Sequence, residues 1–387
     1  ADQGTRQAIR RAARENPGAR LIVTGCYASR SPAEIERLPG VALVVHNRDK
    51  DALPDIVAGL VPELGLTTRE RFDPDGDGAC GLRIGPGAAG RTAFTLRVQT
   101  GCEESCAYCI IPATRGPSLS RPIEWVLEQI SRACDAGYRE IILTGVHLGA
   151  YGRDLRPRRS LAELLDRVAR LDRDVLFRIG SLEPMDCTPD VVDIIAERSR
   201  MAPAFHLPLQ HASDRVLRAM RRPYHLEYYA ALVDSIRRRL PLATIGSDII
   251  VGFPQEDADD FAQLVSYLED SPLTQLHVFP YSDRPGTAAS RMYPKVDGVE
   301  VRRRSQAIRA IGQRLSARFR EQLAGTIHRG LAIDDGSTAV LTNGVRVPLP
   351  ERRTRNEWIE VRVVVESGAL TGEIVSGRHA GISVAAR

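Results

Sequence analysis

The central part of the chain alternates between short apolar runs and longer amphipathic stretches. Six runs rich in β-branched and aromatic residues follow residue 93: TLRVQ, EIILTG, LFRIGS, FHLPLQ, IGSDIIVG and TQLHVFPY. The stretches between them mostly place apolar residues at helical spacing, as in PIEWVLEQISRACDAG. This pattern predicts an α/β fold built on a partial (β/α)6 barrel, which stays open because eight repeats are needed for closure.

The segments before the barrel have a different pattern of apolar and polar residues. Residues 1–62 alternate helix and strand and predict part of a small α/β domain, with VALVV as a strand and a helix that begins after Ser31. Residues 63–92 are rich in Gly, Asp and Pro and lose periodicity, which is typical of a linker. The barrel is therefore expected at 93–322.

After residue 322 the pattern changes to five strand-like runs separated by turn residues. They predict a small antiparallel β-barrel of OB-like type at 323–387, a class that often binds nucleic acids. Asn356 and Trp358 are candidates for RNA contact there, with a core position as the safer expectation for the tryptophan. Residues 301–320 hold seven arginines and no acid, which indicates either a solvated helix face or a phosphate-facing one.

Composition limits the class of protein. The 387 residues are 43% hydrophobic and 26% charged with a net charge of +4, which is ordinary for a globular protein. No apolar run approaches the roughly 20 residues that cross a bilayer, and no signal-peptide pattern opens the chain, so we expect a cytoplasmic location. Almost all cations are arginine, so arginine richness alone does not indicate nucleic-acid binding.

The candidate chemistry lies in the loop after the first predicted barrel strand. TGCEESCAYCIIPATRG places Cys102, Cys106 and Cys109 at the spacing C-x3-C-x2-C. Thiols this close together are too cramped for a disulfide framework and favour metal binding in a reducing compartment. The carboxyl ends of barrel strands are also where active sites gather.

Two kinds of metal centre compete for the three thiols. A structural zinc needs a fourth ligand, which Cys80 or Cys134 would have to supply, and would suit an RNA-binding protein without catalytic activity. A 4Fe-4S cluster held by three thiolates leaves one iron without a protein ligand. That iron can bind the amino and carboxylate groups of S-adenosylmethionine (SAM) and deliver the electron that cleaves it.

The pattern C-x3-C-x-aromatic-C, with Tyr108 before the last thiol, resembles the signature of the radical SAM superfamily. LTGVHLGAYG, FRIGSLEP, HLPLQHASDRVLRAMRRPY, SDIIVGFPQE and HVFPYSDRPGTAASRM together resemble the methylthiotransferases of that superfamily, and residues 324–387 resemble their TRAM domain. GVHLGAYG and HVFPYSDRPGT are most similar to the MtaB-type branch, which acts on N6-threonylcarbamoyladenosine beside the tRNA anticodon. QHASDRVLRAMRRP also resembles the branch that modifies a ribosomal protein side chain.

The resemblance implies a reaction and its partners. In the family, a radical from the first cluster abstracts hydrogen from C2 of the adenine, and sulfur carried by a second, auxiliary 4Fe-4S cluster joins that carbon. A further SAM supplies the methyl group. The implied partners are tRNA and an electron donor such as flavodoxin or ferredoxin, with no membrane, and we expect a monomer.

The auxiliary cluster is expected to be incomplete. In the family it takes three cysteines of the N-terminal domain, and only Cys26, in VTGCYA, matches here. The other two lie upstream in family members, and this chain opens inside a helical pattern without a methionine. We therefore expect an N-terminally shortened product that cannot hold a normal auxiliary cluster.

Three further positions are expected to contact SAM. The resemblance places Gly145 at the methionyl amino group, with a plain turn glycine as the alternative. Gln210 and Asp248 are polar at the ends of predicted strands and are assigned to SAM on that basis.

The candidate substrate contacts lie around the same cavity. Arg178 and Glu183 flank IGSL and form either a cavity ion pair or a bridge between loops. Tyr281 and Arg284 are positioned to stack on or clamp a nucleotide, and Arg115 to neutralise cluster or phosphate charge.

The remaining histidines and cysteines are expected to have structural roles or none. Histidine can ligate metal, but an isolated one on a barrel strand is more often structural; the residues concerned are His147, His206, His211 and His277. Cys134 and Cys187 are expected to be bystanders.

Overall fold

The computed structural model describes residues 2–60, 85–366 and 368–375, and the first of these ranges is a small α/β unit. Its elements are α1 (Asp2–Glu15), β1 (Leu21–Thr24), α2 (Cys26–Arg30), α3 (Pro32–Glu36), β2 (Val41–Val45) and α4 (Leu53–Leu60), with β1 and β2 parallel. Pro32 opens α3 as predicted, but Ser31 makes no side-chain capping hydrogen bond. Most of the predicted linker, together with Cys80, lies outside the described residues.

The central domain is the predicted open barrel of six parallel strands. Its elements are β3 (Phe94–Arg97), β4 (Gln99–Thr100), α5 (Ile111–Arg115), β5 (Leu119–Ser120), α6 (Ile123–Asp135), β6 (Glu140–Thr144), α7 (Leu161–Ala169), β7 (Leu176–Ile179), α8 (Pro189–Glu197), β8 (Ala204–His206), α9 (Asp214–Ala219), α10 (Leu226–Arg239), β9 (Thr244–Val251), α11 (Ala258–Asp270), β10 (Gln275–Pro280) and α12 (Gly298–Gln322). The parallel sheets β3-β6-β7 and β8-β9-β10 join through a bridge between Phe177 and Met201. Within the described ranges no ladder pairs β3 with β10, so the barrel is open there.

Strand alternation separates the core from the barrel interior. On β9 the side chains of Ile245, Ile249 and Val251 are fully buried in the core between sheet and helices. Burying each of them stabilises the fold by roughly 1.5–3 kcal/mol. Because successive side chains point to opposite faces of a strand, Gly246 and Asp248 face the interior.

The arginine-rich segment is helix α12, and its arginines have different environments. Arg304 is buried and pairs with Glu256 and Glu300, which anchors the helix to the loop after β9. Arg303 pairs with Glu300 on the surface. The segment is therefore neither a uniformly solvated nor a uniformly phosphate-facing surface. No described helix is long and apolar enough to cross a membrane.

The terminal domain is a curled antiparallel sheet, as the five strand-like runs predict. Its strands are β11 (Ile327–Ile333), β12 (Thr338–Leu341), β13 (Arg346–Pro348), β14 (Trp358–Glu366) and β15 (Ala369–Ile374), in the order β13-β12-β11-β14-β15. Asn343, in the turn after β12, donates to Leu242 O at 3.0 Å and accepts from Thr244 Oγ1 at 2.7 Å. These bonds attach the half-barrel to the start of β9.

The two candidate RNA contacts of this domain face the central barrel. Trp358 packs against Leu176 and its neighbours under the barrel, and Arg329 stacks on the indole at 4.1 Å. Asn356 Nδ2 donates to Gly137 O at 2.7 Å. The expectation of a packing role for the tryptophan is therefore met.

Candidate active site

The three cysteines lie on one loop at the carboxyl end of the barrel strands, and the backbone holds that loop on two sides. Ala107 donates to Met220 O at 2.9 Å and accepts from Ala289 N at 2.8 Å. Gly101 has φ 75°, and a Cβ there would lie 1.7 Å from Pro117 O. Only glycine therefore lets the chain turn into this loop.

The sulfur atoms are surrounded by donors. The backbone N–H of Glu104 donates to Cys102 Sγ at 3.4 Å and that of Ile111 to Cys109 Sγ at 3.5 Å. Burial raises the pKa of the Cys106 and Cys109 thiols, and electrostatic interactions couple Cys109 to both other cysteines. None of the three is in a disulfide. Free thiols with N–H groups aimed at sulfur suit a cluster that takes thiolate ligands.

Among the described residues, the thiols of the loop do not form the compact group that a single zinc ion requires. Sulfur ligands of one tetrahedral zinc lie about 3.8 Å apart, given bonds of about 2.3 Å. Throughout the described part of the chain, three His, Cys, Asp or Glu ligand atoms lie within 4.8 Å of one another at only one place, and that place is not this loop. Cys134, a proposed fourth ligand, lies in α6, where Arg173 and Asp135 act on its thiol.

A buried arginine beside the loop was missed by the sequence analysis. Arg222 is 7% exposed, and its Nη1 donates to Cys106 Sγ at 3.3 Å. It also pairs with Glu183 and donates to Tyr224 OH at 3.0 Å. Arg178 and Glu183 do not form the cavity ion pair that was one of their two expected arrangements, because Arg178 pairs with Glu140 at 2.6 Å on the neighbouring strand.

The glycine expected at SAM has little space around it. A Cβ on Gly145 would lie 2.8 Å from Gln99 Oε1 and 3.1 Å from the backbone of Leu148. Gln99 accepts from Val146 N and His147 N at 2.9 Å each, so it fixes the backbone after β6. No sequence pattern had pointed to Gln99.

Gln210 continues the barrel edge next to this site. It has φ 69°, is buried, and its backbone donates to Asp248 O and accepts from Ile250 N, both at 2.8 Å. Both backbone bonds of Gln210 run to β9 and hold its unusual backbone conformation in place. Gln210 therefore lies near the carboxyl ends of the strands.

A histidine also approaches the cysteine loop. His147 Nδ1 lies 3.8 Å from Cys102 Sγ, and its Nε2 lies 2.7 Å from Asp186, which also pairs with Arg153. Burial alone would lower the pKa of His147, but hydrogen bonds to Asp186 and Cys102 raise it to about 10. The imidazolium therefore adds positive charge beside the cysteine loop.

The other predicted cofactor contact, Asp248, lies deeper in the barrel. Its Oδ1 is 3.0 Å from His206 Nε2 and 3.2 Å from His277 Nδ1. His211 lies elsewhere, fully buried beside Glu256 at 3.8 Å. Two of the four histidines are thus brought together with an aspartate, which sequence spacing does not show.

The predicted substrate residues surround the loop at different depths. Tyr281 donates to Asp283 at 2.8 Å and stands edge-on to Phe253 at 5.5 Å. Arg284 is exposed and acts electrostatically on Cys109. The Nε of Arg115 in α5 is buried without a hydrogen-bond partner among the described residues.

Tyr108, between the second and third cysteines, faces a small apolar cluster. Burial raises the pKa of its hydroxyl well above the usual value. Its ring packs against the group that contains Ala107, Met220 and Ile250. Tyr108 therefore attaches the loop to the carboxyl end of β9.

Cys26 lies where the N-terminal unit meets the barrel. Asn47 Nδ2 is 3.6 Å from Cys26 Sγ and donates to Thr114 O in α5 at 3.2 Å. Helix α5 directly follows the cysteine loop, so Cys26 and the loop are brought to neighbouring elements.

Comparison with known proteins gives this arrangement a family. A family model described as the Radical SAM superfamily matches residues 96–268. The threonylcarbamoyladenosine tRNA methylthiotransferase MtaB of Bacillus subtilis (strain 168) is 36% identical over 332 residues, which cover 83% of this chain and 71% of that protein. The chain belongs to the radical SAM methylthiotransferase family. Membership implies a 4Fe-4S cluster and SAM as cofactors, in agreement with the donor set of the cysteine loop.

Other methylthiotransferases and a more distant fold relative extend the comparison. The tRNA-2-methylthio-N(6)-dimethylallyladenosine synthase of Fusobacterium nucleatum is 30% identical over 307 residues, covering 79% of this chain and 70% of that protein. The radical SAM methyltransferase TsrM of Kitasatospora setae aligns with a TM-score of 0.51 at 14% identity, over 71% of this chain and 57% of that one. The structural likeness concerns the fold alone.

Proposed function

We propose that this methylthiotransferase adds a methylthio group to C2 of N6-threonylcarbamoyladenosine next to the anticodon of tRNA. The observation that carries the proposal is the cysteine loop, with Cys102, Cys106 and Cys109 on a backbone that Met220 and Ala289 hold in place. The substrate is supported by the 36% identity to the MtaB protein of Bacillus subtilis.

A 4Fe-4S cluster on the three thiolates would leave one iron free to bind SAM, whose reductive cleavage supplies a 5′-deoxyadenosyl radical. Gly145 and Gln210 are the proposed contacts to SAM, since both lie where the barrel strands end. Arg222 places its guanidinium against Cys106 and stabilises negative charge there. Tyr108, Arg115, Arg178, Glu183, Tyr281 and Arg284 remain proposals for cofactor or substrate contact.

We propose that Cys26 belongs to an auxiliary cluster site that this 387-residue chain completes only in part. Cys26 is the single cysteine within residues 1–62, whereas a 4Fe-4S cluster ordinarily needs three or four protein ligands. Iron analysis after anaerobic reconstitution tests this. About four irons per chain would agree, and about eight would contradict the proposal.

Nucleoside analysis tests the substrate. We expect tRNA from a strain that lacks the gene to lose methylthio-N6-threonylcarbamoyladenosine and to regain it on complementation with the intact gene. Loss of the methylthio form of dimethylallyladenosine instead would favour a second candidate, which the 30% identity to the Fusobacterium nucleatum enzyme supports. Unchanged tRNA with an altered ribosomal protein would favour protein modification.

The non-enzymatic alternative, an RNA-binding protein with a structural zinc, has a simple test. If the anaerobically purified chain is brown, absorbs at about 400 nm and bleaches in air, it holds an iron–sulfur cluster as proposed. A colourless chain that retains zinc would contradict it. Flavodoxin or ferredoxin is the proposed electron donor, and the chain is proposed to act as a cytoplasmic monomer.

A further inference from the structure

Three metal-ligating side chains converge inside the barrel, apart from the cysteine loop. His206 on β8, Asp248 on β9 and His277 on β10 each place one ligand atom within 4.8 Å of the other two. The exposure of their side chains is 24%, 25% and 45%, so solvent reaches the group.

The strand register fixes this convergence. His277 is paired directly with Asp248 across β9 and β10, and His206 is paired with Gly246, two residues before Asp248 on the same face. A Cβ on Gly246 would lie 3.0 Å from His206 Nδ1, so the glycine gives the imidazole room to lie against β9. Side chains carried by hydrogen-bonded strands are held more rigidly than side chains on loops.

Two of the three distances between the ligand atoms match those around one ion, and the third pair of atoms lies within 4.8 Å. Atoms bound at about 2.1 Å to a single ion are about 3.0 Å apart in an octahedron and about 3.4 Å apart in a tetrahedron. Asp248 Oδ1 lies 3.0 Å from His206 Nε2 and 3.2 Å from His277 Nδ1. Two imidazoles and one carboxylate suit divalent first-row metals, and with neutral imidazoles the group carries one negative charge.

A neighbouring amide can set the required tautomer. Gln275 Nε2 lies 3.0 Å from His277 Nε2, and the Gln275 side chain is exposed. A half-turn of the amide presents its oxygen, which accepts the Nε2–H of His277 and leaves the Nδ1 lone pair facing Asp248. Outer hydrogen bonds of this kind accompany most metal-ligating histidines.

From this geometry we propose that His206, Asp248 and His277 bind a divalent transition-metal ion such as Zn²⁺. Three protein ligands leave coordination positions open on the interior side. A cavity of about 480 Å³ beside His206 is also lined by Arg178, Arg320 and Arg346. The open positions therefore suit an anionic oxygen donor, a carboxylate or a phosphate, on a molecule that enters the barrel. The proposal takes Asp248 as a metal ligand in place of its expected contact with SAM, and it does not depend on the identity of the substrate.

Metal analysis of the reconstituted holoenzyme tests the proposal. After anaerobic equilibrium dialysis against Zn²⁺, we expect about one zinc per chain beyond the iron, with an X-ray absorption spectrum of nitrogen and oxygen neighbours. H277A and D248N should each bind zinc at least about tenfold more weakly with unchanged iron content. H225A is the matched control, because His225 also lies 3.5 Å from an aspartate, Asp214, but no third ligand atom joins them among the described residues.

The outcomes separate an ion site from a hydrogen-bonded cluster. Zinc that is absent at equilibrium, that has sulfur neighbours, or that is bound equally by the wild type, H277A and D248N would overturn the proposal. Circular dichroism shows whether each variant is folded. The two substitutions lie on different strands, so if one variant does not fold the other still tests the proposal.

Discussion

The Nη1 atom of Arg222 lies 3.3 Å from the Sγ of Cys106, although the two residues are 116 positions apart in the chain. The same guanidinium pairs with Glu183 and is almost fully buried. A buried cation at a cluster-ligand sulfur stabilises the more negative, reduced form of an iron–sulfur cluster. Arg222 is therefore a positioning and charge-balancing residue of the proposed site.

Replacing Arg222 is expected to lower the reduction potential of the cluster. R222M removes the N–H···S bond and leaves Glu183 without its partner, so the potential should fall on the order of tens of millivolts. Redox titration followed by electron paramagnetic resonance measures it. R222M/E183Q should recover part of the shift, and R218M, on the exposed face of α9, should show none. An unchanged potential in R222M would refute the charge-balancing role.

Each cysteine of the loop is expected to be required for the cluster. C102A, C106A and C109A should each lower iron to below about one per chain, because a cluster with two protein ligands is poorly held. SAM cleavage to 5′-deoxyadenosine should be lost with it. C134A removes a half-buried thiol from α6 and should retain both iron and cleavage. Full iron in any of the three loop variants would contradict the assignment.

His211 is expected to make stability depend on acidity. Burial lowers its pKa to about 4, so the unfolded chain binds more protons than the folded one between about pH 4 and 6.5. The free energy of unfolding therefore keeps its full value above that window and falls as the pH drops through it. Between pH 7 and 5 the loss due to His211 is about 2 kcal/mol.

Thermal unfolding at the two pH values checks this linkage. H211Q should be less stable than the wild type at pH 7 but should lose less stability on acidification. The charged groups around His211 are present in both proteins, so the comparison isolates the histidine; they are Glu256, Asp260, Arg215 and Arg304. An equal loss in the two proteins would disprove the linkage.

Asn47 is expected to hold the N-terminal unit against the cysteine loop. N47A removes the donor to Thr114 O and leaves a buried carbonyl unpaired, which costs about 1–3 kcal/mol at that contact. Hydrogen exchange should become faster in Ile111–Arg115 and Cys26–Arg30. N16A, which removes an exposed side chain bonded within its own helix end, is the control. Exchange that is unchanged in N47A would show that Asn47 does not hold this contact.

The barrel was predictable because its pattern is local. Six apolar runs with helical stretches between them leave few ways to bury the strands, and the cysteine spacing marks the loop after the first one. The five runs of the terminal domain gave its strands for the same reason. The start of α3 followed from Pro32, because proline favours the first turn of a helix.

The contacts of the site were not predictable, because they join distant parts of the chain. Arg222 reaches Cys106, and Gln99 reaches the backbone after β6, through folding alone. The expected ion pair of Arg178 and Glu183 rests on their positions on either side of IGSL, with a bridge between loops as the alternative. Arg178, however, points along the interior to Glu140 on the adjacent strand, whereas Glu183 lies beyond the strand end and meets Arg222.

Strand β9 connects the terminal half-barrel to the cysteine loop and so sets the distance between them. Thr244, bonded to Asn343, is the first residue of β9, and Ile250 near its other end packs with Ala107 of the cysteine loop. The strand has eight residues and spans roughly 26 Å. The half-barrel and the cysteine loop are therefore held about one strand length apart, so a molecule that contacts both must span that fixed distance.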